Sequence, residues 1–227
     1  MIETIDLYKF YRAGENVVKA LNGVTMKIND GEFCAIIGPS GSGKSTLLNM
    51  IAGLEPPTKG QIIINGEHVE KYSENELVAF RRKNVGFIFQ SYNLIPTMSA
   101  LENVAFPLMF KGVDKKTRLT KAAKYLDLVG LSDSMQNMGN AMSGGQQQRV
   151  GIARALAMDP KIIFADEPTG NLDTKSSAET LRLMKKIVEE NGTTLIMVTH
   201  DPKIASFADR QIRIVDGMID NSESEVV

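Results

Sequence analysis

A chain of 227 residues, with 43% hydrophobic and 23% charged side chains, holds enough apolar material for one compact globular domain with a sizeable core. A formal net charge of -1 and the lack of any polybasic stripe argue against a nucleic-acid binder, and the single cysteine, Cys34, excludes an intrachain disulfide and a cysteine-based zinc site. Met1 to Lys9 alternate in character rather than forming the apolar core of a secretion signal, and no later run approaches the roughly 20 apolar residues that cross a bilayer, so any membrane role has to come through a partner protein. The cytoplasm is the expected compartment.

Residues 1–30 read as short alternating strands joined by turns at Gly14 and Asn22-Gly23, an antiparallel patch at the edge of a sheet. Phe33 to Ile37 is a buried strand in which Cys34 is a small core residue. The run Gly38, Pro39, Ser40, Gly41, Ser42, Gly43, Lys44, Ser45 follows it, and Thr46 to Ile51 opens an apolar helix, which is the setting a phosphate-binding loop requires. Backbone amides approach a phosphate only where side chains are absent, and the following helix adds its positive end. Lys44 is expected to hold the β- and γ-phosphates of a nucleotide, and Ser45 to place its hydroxyl on Mg²⁺. His68 lies in a polar turn region after Ile62 to Ile64 and is expected to have no role.

Gln90 ends a further strand, and from about 91 to 158 helix signals replace strand-like runs. Ser99 and Glu102 have capping-box spacing, Pro107 should bend or end the helix they open, and the lysine-rich stretch from Lys111 to Lys121 reads as a solvated face. Ser143-Gly144-Gly145-Gln146 repeats the capping-box spacing ahead of a helix over Gln147 to Met158, whose free amides suit an anion. Ile162 to Ala165 then delivers Asp166 and Glu167 to the carboxyl end of a strand, where open α/β sheets put their ligands. Asp166 is expected to hold Mg²⁺ through water, and Glu167 to serve as general base or water-orienting group, although an acidic pair at a strand end is ordinary when taken alone. Leu195 to Thr199 forms another strand, followed by His200, an imidazole suited to the γ-phosphate and the attacking water. Residues 221–225 read as a loose tail. The class is α/β with a mostly parallel sheet. One domain is expected, with about 1–90 and 159–227 as core and about 91–158 as a helical subdomain.

These motifs, in this order, resemble the ATP-binding-cassette ATPases, and the resemblance covers nearly the whole chain. It implies a RecA-like P-loop core with an N-terminal antiparallel β subdomain and an inserted helical subdomain. It also implies that two cassettes close head to tail, each ATP lying between the loop Gly38 to Thr46 of one subunit and the signature motif, Ser143, Gly144, Gly145 and Gln146, of the other. Tyr11 is expected to stack on adenine, Gln90 to contact Mg²⁺ and the attacking water while linking ATP to the helical subdomain, and Asp173 to lie at the dimer seam. Glu167, His200, Gln90 and Lys44 are the expected catalytic set.

A closer similarity is to the lipoprotein-releasing and macrolide-export (LolD and MacB) group, which includes antimicrobial-peptide resistance transporters and the cell-division cassette. It rests on Phe87 to Pro96, Ala100 to Asn103 and Ala165 to Asp173. That group implies a membrane permease with few spans and a large external domain, the cassette lying on the inner face of the cell membrane. Met142 departs from the usual leucine at little volume cost. Gln136 to Ala141 lacks the proline and basic residues often found before the signature, which bears on coupling to the partner. Both halves of the composite site are present, so a homodimer is expected. A P-loop GTPase would carry Asn-Lys-X-Asp, and no Asn-Lys pair occurs. A non-transporting mechanical ATPase of the cell-division type and a soluble cassette ATPase remain as alternatives.

Overall fold

A long hairpin opens the chain: β1 (Ile2–Ala13) pairs antiparallel with β2 (Asn16–Ile28) around Gly14, whose φ of 63° is left-handed. The computed structural model describes residues 1–14 and 16–220; the tail expected at 221–225 lies outside the described residues. Leu21, Val24, Met26 and Ile28 of β2 are buried against Ile2, Thr4 and Leu7 of β1. Asn22-Gly23 does not form the expected turn. Tyr8 pairs with Asn22 and Leu7 with Val24, so Gly23 is an extra residue at φ 85° inside a continuous strand. It is a β-bulge, which uses the same left-handed glycine as a turn but keeps the ladder on both sides.

In β3 (Phe33–Ile37) the residues from Phe33 to Ile36 are buried, and burial pushes the Cys34 thiol up to about 12. This agrees with its reading as a core residue. The helix α1 (Lys44–Ile51) follows, with Leu47, Leu48, Met50 and Ile51 buried. The chain then returns as β4 (Lys59–Ile64) along the free edge of β1 and turns at Asn65-Gly66 into β5 (Glu67–His68), completing an antiparallel sheet ordered β2-β1-β4-β5. His68 sits in that short edge strand with Nδ1 2.9 Å from Oε1 of Glu70. The helix α2 (Glu74–Asn84) closes this stretch.

The strand β6 (Val85–Phe89) lies parallel to a later one, β7 (Ile162–Asp166), in register from Val85 with Ile162 to Phe89 with Asp166. Between them come α3 (Ala100–Met109), α4 (Lys115–Leu128) and α5 (Gly144–Leu156). The expected capping box opens α3: Ser99 accepts from the Glu102 amide, and Glu102 accepts from the Ser99 amide. Pro107 lies inside α3, which runs on to Met109 before stopping. Buried Asn103 stitches the preceding loop to this helix, donating to the carbonyls of Ile95, Met98 and Ser99 at 3.0–3.1 Å and accepting from the Ile95 amide at 2.7 Å. The lysine stretch is only partly solvated. Lys111 Nζ donates to the Met158 carbonyl at 2.6 Å and Lys121 pairs with Asp159, so both anchor the chain ahead of β7, while Lys115 and Lys116 are exposed. The helix α6 (Thr174–Asn191) ends at Gly192, φ 62°.

The last elements are β8 (Thr194–Thr199), wholly buried, the short α7 (Pro202–Ala205), β9 (Arg210–Val215) and β10 (Met218–Ile219). β3 lies between β8 and β9 and is parallel to both, and β10 folds back on β9. Continuous apolar runs such as Leu195 to Val198 are what a strand covered on both faces requires. Each of these side chains contributes about 1.5–3 kcal/mol by leaving water. Among the described residues the chain forms two compact units, residues 1–81 with those from 194 onward, and residues 82–193. Among the described residues, no helix is long and apolar enough to cross a membrane.

Candidate nucleotide site

In the first unit Ile37 pairs with Thr199, so Gly38 and His200 leave adjacent parallel strands at the same end. Position 38 admits only glycine: a Cβ there would lie 2.0 Å from the Ile214 carbonyl oxygen. Gly41, at φ 79°, has open space around it, whereas a Cβ on Gly43, at φ 100°, would meet the Ala20 oxygen at 2.3 Å. The loop is thus packed at its two ends and open in the middle, where Pro39, Ser40 and Gly41 are exposed. Gly43 caps α1 without a side-chain hydrogen bond, and no acidic residue stands in the first turn, so the positive helix end is left for an anion.

Lys44, 7% exposed, folds back over the loop and donates to the Pro39 carbonyl at 2.7 Å. Ser45 is exposed beside it. Tyr11 in β1 donates to Glu55 Oε2 at 2.8 Å, lies close to the Thr46 side chain, and keeps 37% of its surface exposed. Burial and Glu55 raise its phenol pKa. The first unit thus brings Tyr11 to the loop segment Gly38 to Thr46.

The second unit repeats the geometry of a shared strand end. Phe89 pairs with Asp166, so Gln90 and Glu167 emerge side by side from adjacent parallel strands. Glu167 holds φ 46°, and its carbonyl accepts from the Gly170 amide at 3.0 Å, turning the chain back. Gln90 packs into that turn: a Cβ on Gly170 would lie 2.7 Å from its Nε2, and Asn171 Nδ2 donates to its carbonyl at 3.0 Å.

The capping box at Ser143 forms as expected, the Gln146 amide donating to Oγ at 3.3 Å and the Ser143 amide to Gln146 Oε1 at 3.0 Å. Gly144 sits under Tyr92, where a Cβ would meet the phenol oxygen at 2.7 Å, and Gly145 lies against Ser176. Ser176 in turn donates to Asp173 Oδ2 at 2.6 Å, while Asp173 Oδ1 accepts from the Lys175 and Ser176 amides at 3.0 Å. Asp173 is therefore the cap of α6, and these bonds lower its carboxyl pKa. The second unit gathers Gln90, the signature turn and Asp173 around Tyr92, Gly170 and Ser176. Sequence reasoning placed Tyr92 and Asn171 only within longer matching runs, with no role of their own, and did not single out Ser176, because their contacts join segments far apart in the chain.

Residues 21–170 match the family model described as ABC transporter, a span that includes Lys44, Gln90, Ser143 and the Asp166-Glu167 pair. The chain is 49% identical over 223 residues to an uncharacterized ABC transporter ATP-binding protein of Thermotoga maritima, covering 98% of this chain and 95% of that one. It is 44% identical over 228 residues to the macrolide export ATP-binding/permease protein MacB of Syntrophobacter fumaroxidans, spanning all of this chain but 32% of that longer protein. Its structure matches the dimeric post-hydrolysis form of the cassette MJ0796 of Methanocaldococcus jannaschii, bound to ADP and Pi, with a TM-score of 0.89 and 43% identity over 97% of each chain. The fold is the α/β P-loop NTPase fold expected from the sequence. With motif order, family match and fold in agreement, this chain belongs to the ABC transporter family as its ATP-binding, ATP-hydrolysing component.

Proposed function

We propose that this chain works as a head-to-tail homodimer that closes on ATP and drives a membrane permease of the export type. What supports this reading is that the loop before α1 is open in its middle and leads into an uncapped helix start, and that the first turn of α5, after Ser143, bears no acidic residue, as the two halves of a composite site would need. Solved cassettes of this family include dimers, and a MacB relative is named as a fusion of ATP-binding and permease parts. In this reading the cassette sits on the inner face of the cell membrane, held there by a separate permease with few spans and a large external domain. The residues 91–158, which contain α3, α4 and α5, act as the helical subdomain, with 1–90 and 159–227 as the core.

Within the proposed site the amides of Gly38 to Thr46 and the Lys44 ammonium hold the phosphates, and Tyr11 stacks on the adenine. Glu167 takes the proton of the attacking water, or orients it, while Gln90 and His200 hold that water and the γ-phosphate. Ser143, Gly144, Gly145 and Gln146 meet the nucleotide of the opposing subunit, and Asp173 lies at the seam. The donor set suits Mg²⁺: hydroxyl, amide and carboxylate oxygens are hard ligands. Among the described residues no group of three or more His, Cys, Asp or Glu side chains could hold a metal ion alone, which fits an ion that arrives with the nucleotide. Ser45, Gln90 and, through water, Asp166 would hold it, and it would neutralise charge on the departing phosphoryl group.

The experiment is to recover Glu167→Gln protein from native membranes with ATP and Mg²⁺ and identify by mass spectrometry what accompanies it. A permease with few spans and a large external domain is expected. Recovery of soluble partners alone would favour a soluble cassette ATPase and overturn the export reading.

A further inference from the structure

We propose that Arg154 is a positioning residue for Gln90, tying the segment just after Gln90 to α5, the helix that follows Ser143. Arg154 stands in the last turn of α5, and its guanidinium donates to the carbonyls of Asn93 at 2.5 Å and Tyr92 at 2.7 Å. Those two residues follow Gln90 closely, and both hold left-handed backbone, φ 58° at Tyr92 and 49° at Asn93. Consecutive non-glycine residues in that region persist only where the surroundings hold them. A planar fork that bonds both carbonyls does so, and a point ammonium lacks that geometry.

Two further contacts bind the same loop to the same helix. The Tyr92 hydroxyl occupies the space beside Gly144, and the Tyr92 carbonyl lies 3.9 Å from where a Gly151 Cβ would stand. From its start to its last turn, α5 is therefore in register with the segment after Gln90. On the other side Gln90 is held by Gly170 and Asn171. A displacement at the signature end of α5 would thus be carried along a rigid helix to the backbone that sets the Gln90 side chain. In the dimer proposed above, Arg154 makes the orientation of Gln90 in one site depend on occupancy of the other.

This inference rests on the proposed role of Gln90, so the test is a double-mutant cycle on ATP turnover of the full chain with Mg²⁺. Gln90→Ala should slow kcat roughly a hundredfold. Arg154→Met should slow it roughly tenfold with KM for ATP within about twofold, since Arg154 lies outside the phosphate loop. The double variant should be no slower than Gln90→Ala alone. Multiplying effects, an unslowed Arg154→Met, or a rise in KM matching the fall in kcat would overturn the inference while leaving the role of Gln90 standing. Gln90→Ala at the unsubstituted rate would overturn both. Where Arg154→Met fails to fold, Arg154→Lys, which keeps charge and stem but loses the fork, enters the same cycle with the same expected non-additivity.

Discussion

Glu167→Gln is expected to cut ATP turnover by about 10²- to 10⁴-fold while leaving ATP affinity unchanged. Glu167 follows β7 and emerges beside Gln90 at the strand end, held at φ 46° by a turn closed through the Gly170 amide. Glutamine has the same shape and nearly the same backbone preference, so the turn should survive the exchange. What disappears is the basic oxygen that accepts a proton from water. The expected phosphate-binding groups, the amides of the loop at 38–46 and the Lys44 ammonium, are untouched. Steady-state hydrolysis measured alongside an equilibrium ATP titration separates the two effects. Turnover near that of the unsubstituted protein would remove Glu167 from its assigned role.

Lys44→Ala should have the opposite signature, weakening ATP binding by about 1.5–3 kcal/mol, the range of a hydrogen bond to a charged group, or roughly 10- to 100-fold. The side chain is nearly buried and rests on the Pro39 carbonyl at 2.7 Å, so its charge lies within the loop that is to receive the phosphates. Position 44 opens α1, and alanine is a good helix former there, so the fold should be retained. Thermal melting of the nucleotide-free protein should therefore change little while the ATP titration shifts. Unchanged affinity in a folded Lys44→Ala protein would contradict the assignment.

The parts of the fold that were legible in the sequence are those whose chemistry is local. A capping box needs two residues at fixed spacing, and both Ser99-Glu102 and Ser143-Gln146 form one. The buried strand Phe33 to Ile37 needs only a continuous apolar run, and it has those bounds. Asn22-Gly23 was misleading because a left-handed glycine serves a turn and a bulge equally, and the choice depends on Tyr8 and Leu7 across the ladder. Lys111 and Lys121 read as solvated because their anchors, Met158 and Asp159, are distant in sequence.

The candidate site divides in the same way. The phosphate loop, the signature turn and the Asp-Glu pair are contiguous segments and could be read directly. Gly38 was legible as part of a motif, but the reason it must be glycine, the Ile214 carbonyl, was not. The capping duty of Asp173 and the grip of Arg154 on two carbonyls arise only when separate segments meet.

The central claim is that two copies of this chain close on ATP, and size-exclusion chromatography with light scattering on Glu167→Gln tests it most directly. With ATP and Mg²⁺ the mass should double relative to the nucleotide-free protein, because ATP held between subunits contributes binding free energy that the free surfaces lack. ADP should not produce the doubling. A monomer at every ATP concentration, in a protein shown to bind ATP, would contradict the composite site.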